Sequence, residues 1–412
     1  MSVTLPPRTP SSQPPAPAPL PTHRGCPFDP PGELGALREE EPVSRLAFPD
    51  GKTGWLLTRH EDVRAVLADD RFSSDRLRAS SPVRRFPLLR SESPDLAGSL
   101  IGMDPPQHTR YRHLLTRHFT VRRMRELAPR IEQIVADHLD AMERGGPPTD
   151  LVADFARPIP SLVICELLGV PYEDRATFQR CTATLLRLDA DEQTVRAARD
   201  ELWAYMLGLV AAKRDHPDDT LLGTLIRDGD PDAPLGDAEL AGLGRLLLVA
   251  GHETTANMLA LGTYALLCHP EQLRALREDP ELVDRAVEEL LRYLTIVQFG
   301  TVRVAREDVE VGGRLIRAGE TVVASLASAN RDPEHFPDPD ELDLARPPAQ
   351  HVAFGHGIHQ CLGQQLARVE MKIAYPALLR RFPALDLAVP PGRVPMRDDM
   401  FIYGVHRLPV TW

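Results

Sequence analysis

The sequence predicts a mainly α protein with a small mixed β-sheet, folded as a single large domain. Three observations lead there. Long stretches through the middle of the chain carry apolar residues at helical spacing, with charges between them. Strand-like pieces are few, short and clustered toward the two ends, so a sheet must draw on distant segments and tie the ends together. Linker-like composition occurs at the N-terminus alone, and 42% hydrophobic with 26% charged residues over 412 positions is ample for one large core.

Taken in order, residues 1–24 are rich in proline, which denies them a helix; an extended, disordered tail is expected, ahead of a folded domain over 25–412. Residues 45–48 and 54–58 read as strands. Amphipathic helices are expected over 124–144 and 190–214. A helix over 237–268 would be about 48 Å long and end before Pro270, which cannot continue the ladder. A shorter helix over 280–293 has proline in its first turn. Strands follow over 302–311 and 320–324, with Gly312-Gly313 as a hairpin turn, then a helix over 364–379 and a last hairpin piece over 401–406.

Composition excludes some classes. Five cysteines in so long a chain rule out a disulfide scaffold. A net charge of −11 argues against non-specific nucleic-acid binding. Lysine occurs at 52, 213 and 372 alone, and the other basic residues are arginine. The N-terminus lacks the apolar core of a signal peptide. The most apolar stretch, 246–267, is broken by His252 and Glu253 and reads as a buried core helix rather than a membrane span. A cytoplasmic, monomeric protein is expected.

Cys26, Cys165, Cys181 and Cys268 read as small buried hydrophobes. Cys361 differs, because it lies in Phe354-Gly355-His356-Gly357-Ile358-His359-Gln360-Cys361-Leu362-Gly363, just before a helix. Glycines let the backbone turn and approach a flat ligand. Unpaired N–H groups at the helix start are expected to lower the thiol pKa. Such a thiolate could serve as nucleophile, zinc ligand or haem ligand. Zinc would want a second Cys/His pair, and none of convincing spacing exists. A nucleophile would want a base and an orienting partner, of which the sequence gives no sign.

The decapeptide resembles the haem-binding signature of the cytochrome P450 family, with every fixed position filled. The resemblance runs from about Cys26 to Trp412 and implies the cytochrome P450 fold. It also implies a haem b with Cys361 as its axial ligand, cradled by a loop that includes Phe354 and Gly363. Three further segments, in the expected order, carry it. Glu289-Leu290-Leu291-Arg292 resembles the family's structural ion pair, with Arg346 as its candidate third member and a role in folding. Ala250-Gly251-His252-Glu253-Thr254-Thr255 puts residues of poor helix propensity at a helix centre. It resembles the acid–alcohol motif, with Glu253 and Thr254 delivering protons. His108 and Arg112, four apart on one helix face, resemble the propionate ligands together with Arg303 and His359.

What the resemblance implies is a monooxygenase using dioxygen on a small apolar substrate, and a macrolide or polyketide tailoring enzyme is expected. Too few cysteines remain for a fused iron–sulfur cluster, so a separate ferredoxin and ferredoxin reductase are expected, with NAD(P)H acting through them. Arg117, Arg122, Arg123, Arg368 and Lys372 are candidates for a basic dock. Leu246, Val249, Ala250, Phe299, Thr301, Phe401 and Ile402 are candidate substrate contacts. A lid is expected over 73–100, with Arg76, Arg78, Arg84, Arg85 and Arg90 read as a solvated loop. Rival readings are a peroxygenase or oxidative-coupling enzyme on the same haem, which an intact Glu253-Thr254 pair argues against, and a non-enzymatic haem-binding protein.

Overall fold

The computed structural model describes residues 16–86, 96–229 and 233–412. Its α-helices are α1 (Gly32–Glu40), α2 (His60–Ala68), α3 (Gln107–Thr116), α4 (Val121–Gly145), α5 (Pro158–Leu168), α6 (Arg175–Leu186), α7 (Glu192–Asp215), α8 (Leu221–Arg227), α9 (Asp237–Cys268), α10 (Pro270–Glu278), α11 (Val283–Leu294), α12 (Leu326–Ala329) and α13 (Gln364–Arg381). The strands are β1 (Val43–Ala47), β2 (Thr53–Leu57), β3 (Phe72–Ser73), β4 (Thr149–Asp150), β5 (Thr301–Ala305), β6 (Val309–Val311), β7 (Arg314–Ile316), β8 (Thr321–Ala324), β9 (Asp386–Leu387) and β10 (Pro409–Thr411).

The helix α9 is the axis of the core. Its residues are apolar almost all round, and nearly everything from Leu240 to Leu266 is buried against α5, α7 and α13. Its start is fixed where the Gly236 N–H donates to Glu239 Oε2 at 2.8 Å, and Pro270 opens the next helix. The main sheet runs β1-β2-β8-β5-β3, with β2 and β8 parallel and the other pairs antiparallel. It joins residues from both ends of the chain, as a single domain requires.

The expected hairpin is present: Gly312 and Gly313 have φ of +52° and +72°, the conformation a two-residue turn needs between β6 and β7. Several boundaries move. The strand expected over 302–311 is two, because residues 306–308 leave the sheet before β6 turns back. The piece expected over 401–406 is not a strand but a loop with isolated bridges, Val297 to Ile402 and Met396 to Val405, because its backbone is spent on separate neighbours. Of the tail, residues 16–24 are described, extended but packed: Ala18 bridges Leu46 and Leu20 is buried.

Candidate active site

The cysteine loop is built between α11 and α13. Gly355 and Gly357 have φ of +71° and +73°, and a Cβ on Gly357 would stand 2.3 Å from the Leu67 carbonyl of α2. Only glycine lets the loop pass that close. The Cys361 N–H donates to Phe354 O at 2.8 Å and Gly363 caps α13. From the other side, Arg292 donates to Asn330 O at 2.9 Å, and Asn330 Oδ1 accepts from the Val352 N–H at 2.7 Å. The Glu289, Arg292 and Arg346 cluster thus holds the root of the loop. Phe354 lies under Arg368, 4.6 Å from guanidinium carbon to ring centre.

Helix position alone does not present a thiolate. Burial pushes the Cys361 thiol up; the Gly363 N–H, Arg112 and Arg368 pull it down, and burial wins. The residue keeps accessible surface, yet the protein around it desolvates the thiol. The lowering expected from the helix start alone is therefore corrected, since burial outweighs it.

Around the loop stands a group of donors, two arginines and two histidines. Arg112 Nη1 donates to Gln360 O at 2.7 Å, tying α3 to the cysteine loop. His108 and His359 have ring centres 4.2 Å apart. Arg303, on β5, donates one N–H to Val302 O. The His108 Nε2, His359 Nε2 and Arg303 Nη2 atoms are buried without a hydrogen-bond partner. Burial and then Arg303 hold the His359 imidazole down to about 3; burial and then Arg76 hold Arg303 down to about 10. The acid this group feels, Asp104, is already bonded to Ser73, the Ser74 N–H and Arg306. A cluster of uncompensated donors beside a cysteine fits the two acidic side groups of a haem.

On α9 the Thr254 hydroxyl donates to Ala250 O at 2.7 Å. Leu246, Val249, Ala250 and Thr254 form one stripe that stays partly or fully exposed on a helix otherwise buried from Ala256 to Leu266. Glu253 points elsewhere: it is 6% exposed and paired with Arg397 at 3.0 Å. Asn257 Nδ2 reaches its carbonyl at 2.7 Å. Arg397 and Asn257 had no sequence signal, since Arg397 lies 144 positions from its acid.

The other predicted contacts divide. Phe401 meets Phe299 edge-on at 5.5 Å and Ile402 bridges Val297. Phe299 is buried in the small cluster of Leu46, Phe48, Leu56 and Val323, with Phe401 at its open edge. Thr301 shares a strand face with Arg303.

In the lid segment, Arg78 and Arg85 are exposed, and Arg90 lies outside the described residues. Arg84 corrects the solvated reading: it is 3% exposed and donates to Leu185 O and Arg187 O at the end of α6. The residues of the candidate basic dock have acidic neighbours. Arg122 and Arg123 pair with Glu126, Arg368 with Glu288 at 2.6 Å and Lys372 with Asp284 at 2.9 Å, so that surface is a mosaic of both signs.

Known proteins share this construction. The cytochrome P450 family model matches residues 187–404. The chain is 51% identical to cytochrome P450-SU2 of Streptomyces griseolus over 391 residues, 94% of this chain and 95% of that one. It is 47% identical to pentalenic acid synthase of Streptomyces avermitilis over 399 residues, 96% and 98% of the two chains. The crystal structure of CYP105P1 in complex with filipin I superposes with a TM-score of 0.92 at 46% identity, covering 96% of this chain and 99% of that one. A cysteine loop with every signature residue in place, a matching fold and near full-length relatives lead to one conclusion: the chain belongs to the cytochrome P450 family of haem-thiolate monooxygenases.

Proposed function

We propose that this monooxygenase hydroxylates or epoxidises an apolar natural product of macrolide or polyketide type. On this reading it carries haem b on Cys361 and receives electrons from NAD(P)H through a separate ferredoxin reductase and ferredoxin. It acts as a cytoplasmic monomer whose haem domain spans 25–412. The observation that carries the haem reading is the set of orphaned donors on His108, Arg303 and His359 beside the cysteine loop. The substrate class draws on the relatives, one named as pentalenic acid synthase and one solved with filipin I.

When bound, the haem supplies dioxygen activation and oxygen transfer. The protein's part is to hold, orient and deliver protons. Cys361 Sγ would hold the haem through its iron, with Phe354 and Gly363 shaping the loop about it. His108, Arg112, Arg303 and His359 would hold its propionates. The stripe of Leu246, Val249 and Ala250 borders the substrate, with Phe299, Thr301, Phe401 and Ile402 on the facing side. The Thr254 hydroxyl, anchored on Ala250 O, passes protons inward, and Glu253 is the partner acid in their delivery.

The test is the carbon-monoxide difference spectrum of the reduced protein. A thiolate-type Soret band is expected, and Cys361→Ala should abolish it; a band of the histidine-ligated type in the wild type overturns the assignment. Spin-state titration against a macrolide and polyketide panel then tests the substrate class. Turnover with ferredoxin and reductase, but not with peroxide alone, tests the electron source.

A further inference from the structure

We propose that Glu288 is a positioning residue for the cysteine ligand: it holds Arg368 flat on Phe354 and cancels that cation, so that Cys361 Sγ stands beside a balanced pair and not a bare positive charge. The inference rests on the haem reading above and concerns the reduction potential, which that reading leaves open.

Helix α11 carries two acids in succession, about 100° apart around its axis. Glu289 turns to Arg292 and Arg346. Glu288 turns to α13 and the cysteine loop. Its carboxylate accepts from Arg368 Nε at 2.6 Å and from Nη2 at 2.9 Å, a fork that fixes the plane of the guanidinium. His351 Nε2 lies 3.1 Å from the same carboxylate. The His351 Nδ1 accepts from the Ala353 N–H at 3.2 Å, so the hydrogen on Nε2 faces Glu288. Burial pushes the Glu288 carboxyl up, but His351 and Arg368 outweigh it and hold it down to about 2. The acid is therefore an anion throughout the neutral range.

Both partners of this anion flank one ring. The Arg368 guanidinium carbon lies 4.6 Å from the centre of Phe354, and the His351 ring centre 6.2 Å from it. Phe354 O accepts the Cys361 N–H at 2.8 Å. Arg368 is tied at its other end too, where Nη1 donates to Gln364 Oε1 at 3.0 Å in the first turn of α13. Cys361 faces two cations, Arg112 and Arg368. Arg112 donates to a carbonyl, Gln360 O, whereas Arg368 arrives matched by an anion. Reduction adds negative charge beside Cys361 Sγ, which a cation favours and an anion opposes. The balance of Glu288 against Arg368 thus enters the potential directly. A neighbouring pair serves as control: Asp284 meets Lys372 at 2.9 Å, one turn further along both helices, with Asp284 largely exposed.

The experiment is redox titration of the haem protein, with the resonance Raman iron–sulfur stretch of the ferric form as second readout. Glu288→Gln keeps an acceptor for the guanidinium but removes the anion; it should raise the potential and lower the stretching frequency. Arg368→Met leaves the anion unbalanced and should do the reverse. The double variant should return close to the wild type in both. Asp284→Asn removes an equal charge where distance and solvent screen it, and should shift the potential by less than half as much as Glu288→Gln. Arg368→Gln stands in for Arg368→Met where the latter does not fold, with the same sign expected. Loss of packing under the loop would instead move both single variants in one direction and the double variant further. That result, or an unmoved potential in Glu288→Gln, overturns the proposal. Failure of the haem reading would appear separately, in the carbon-monoxide spectrum of the wild type.

Discussion

Glu289 on α11 accepts a hydrogen bond at 3.1 Å from Arg346, 57 positions further along the chain. Arg292 meets the same carboxylate at 2.8 Å through two nitrogens, and the Asp343 N–H adds a fourth donor. Glu289→Gln leaves two guanidinium groups short of their anion in a nearly dry site, a cost of about 3–5 kcal/mol. Arg346→Met removes the cation nearer the surface and should cost less than half of that. Urea unfolding gives the order; equal losses would mean that the cluster is not centred on Glu289.

Thr254→Val keeps the volume and branching of the side chain but loses the hydroxyl bonded to Ala250 O. If the hydroxyl moves protons, dioxygen consumption should continue while product per dioxygen falls by roughly tenfold or more and peroxide appears. Thr254→Ser should recover most of the coupling. The check is the ratio of product to peroxide; unchanged coupling in Thr254→Val removes the residue from the relay.

His60 gives the protein a pH dependence of known sign. It is 4% exposed, stacked on His335 at 3.7 Å, and burial pushes it down to about 4. An ordinary histidine titrates near 6.5, so between about 6.5 and 4 the unfolded chain binds a proton that the folded one refuses. Stability is then complete above about pH 6.5 and falls as pH drops toward 4, by at most about 3 kcal/mol from this residue. Urea midpoints should decline across that window and decline less in His60→Gln.

The parts of this molecule written locally were legible. The bounds of α9 follow from Asp237 and Glu239 at its start and Pro270 beyond its end, and they match the expectation residue for residue. The cysteine loop is a contiguous string in which Gly355 and Gly357 take the positive φ values that favour glycine. Arg346 could be paired with Glu289 because both lie in a recognisable framework. What was not legible is long-range and polar. Arg397 lies in a loop with no periodicity and finds Glu253 only through tertiary packing. Arg84 looks like one of several solvated arginines until the end of α6 covers it. The aromatic and β-branched run Phe401-Ile402-Tyr403 with Val405 imitates a strand in composition, although the segment meets separate neighbours through isolated bridges.

Arg303 and His108 should separate ligand binding from folding, because the two effects have opposite signs. Both are buried, both have a ring or guanidinium nitrogen without a partner, and burial, then Arg112 and more weakly Arg303, hold the His108 imidazole down. In the protein without haem, Arg303→Leu removes a cation whose burial is uncompensated and should stabilise the fold by about 1–2 kcal/mol, less the bond lost to Val302 O. His108→Leu should act in the same direction, more weakly. With haem the order reverses: the variants lose a donor to a propionate and should release haem to apomyoglobin roughly tenfold faster or more. Thermal unfolding without haem and transfer kinetics with it measure the two effects independently. A structural residue would lower both stability and retention; a ligand-binding residue raises one and lowers the other.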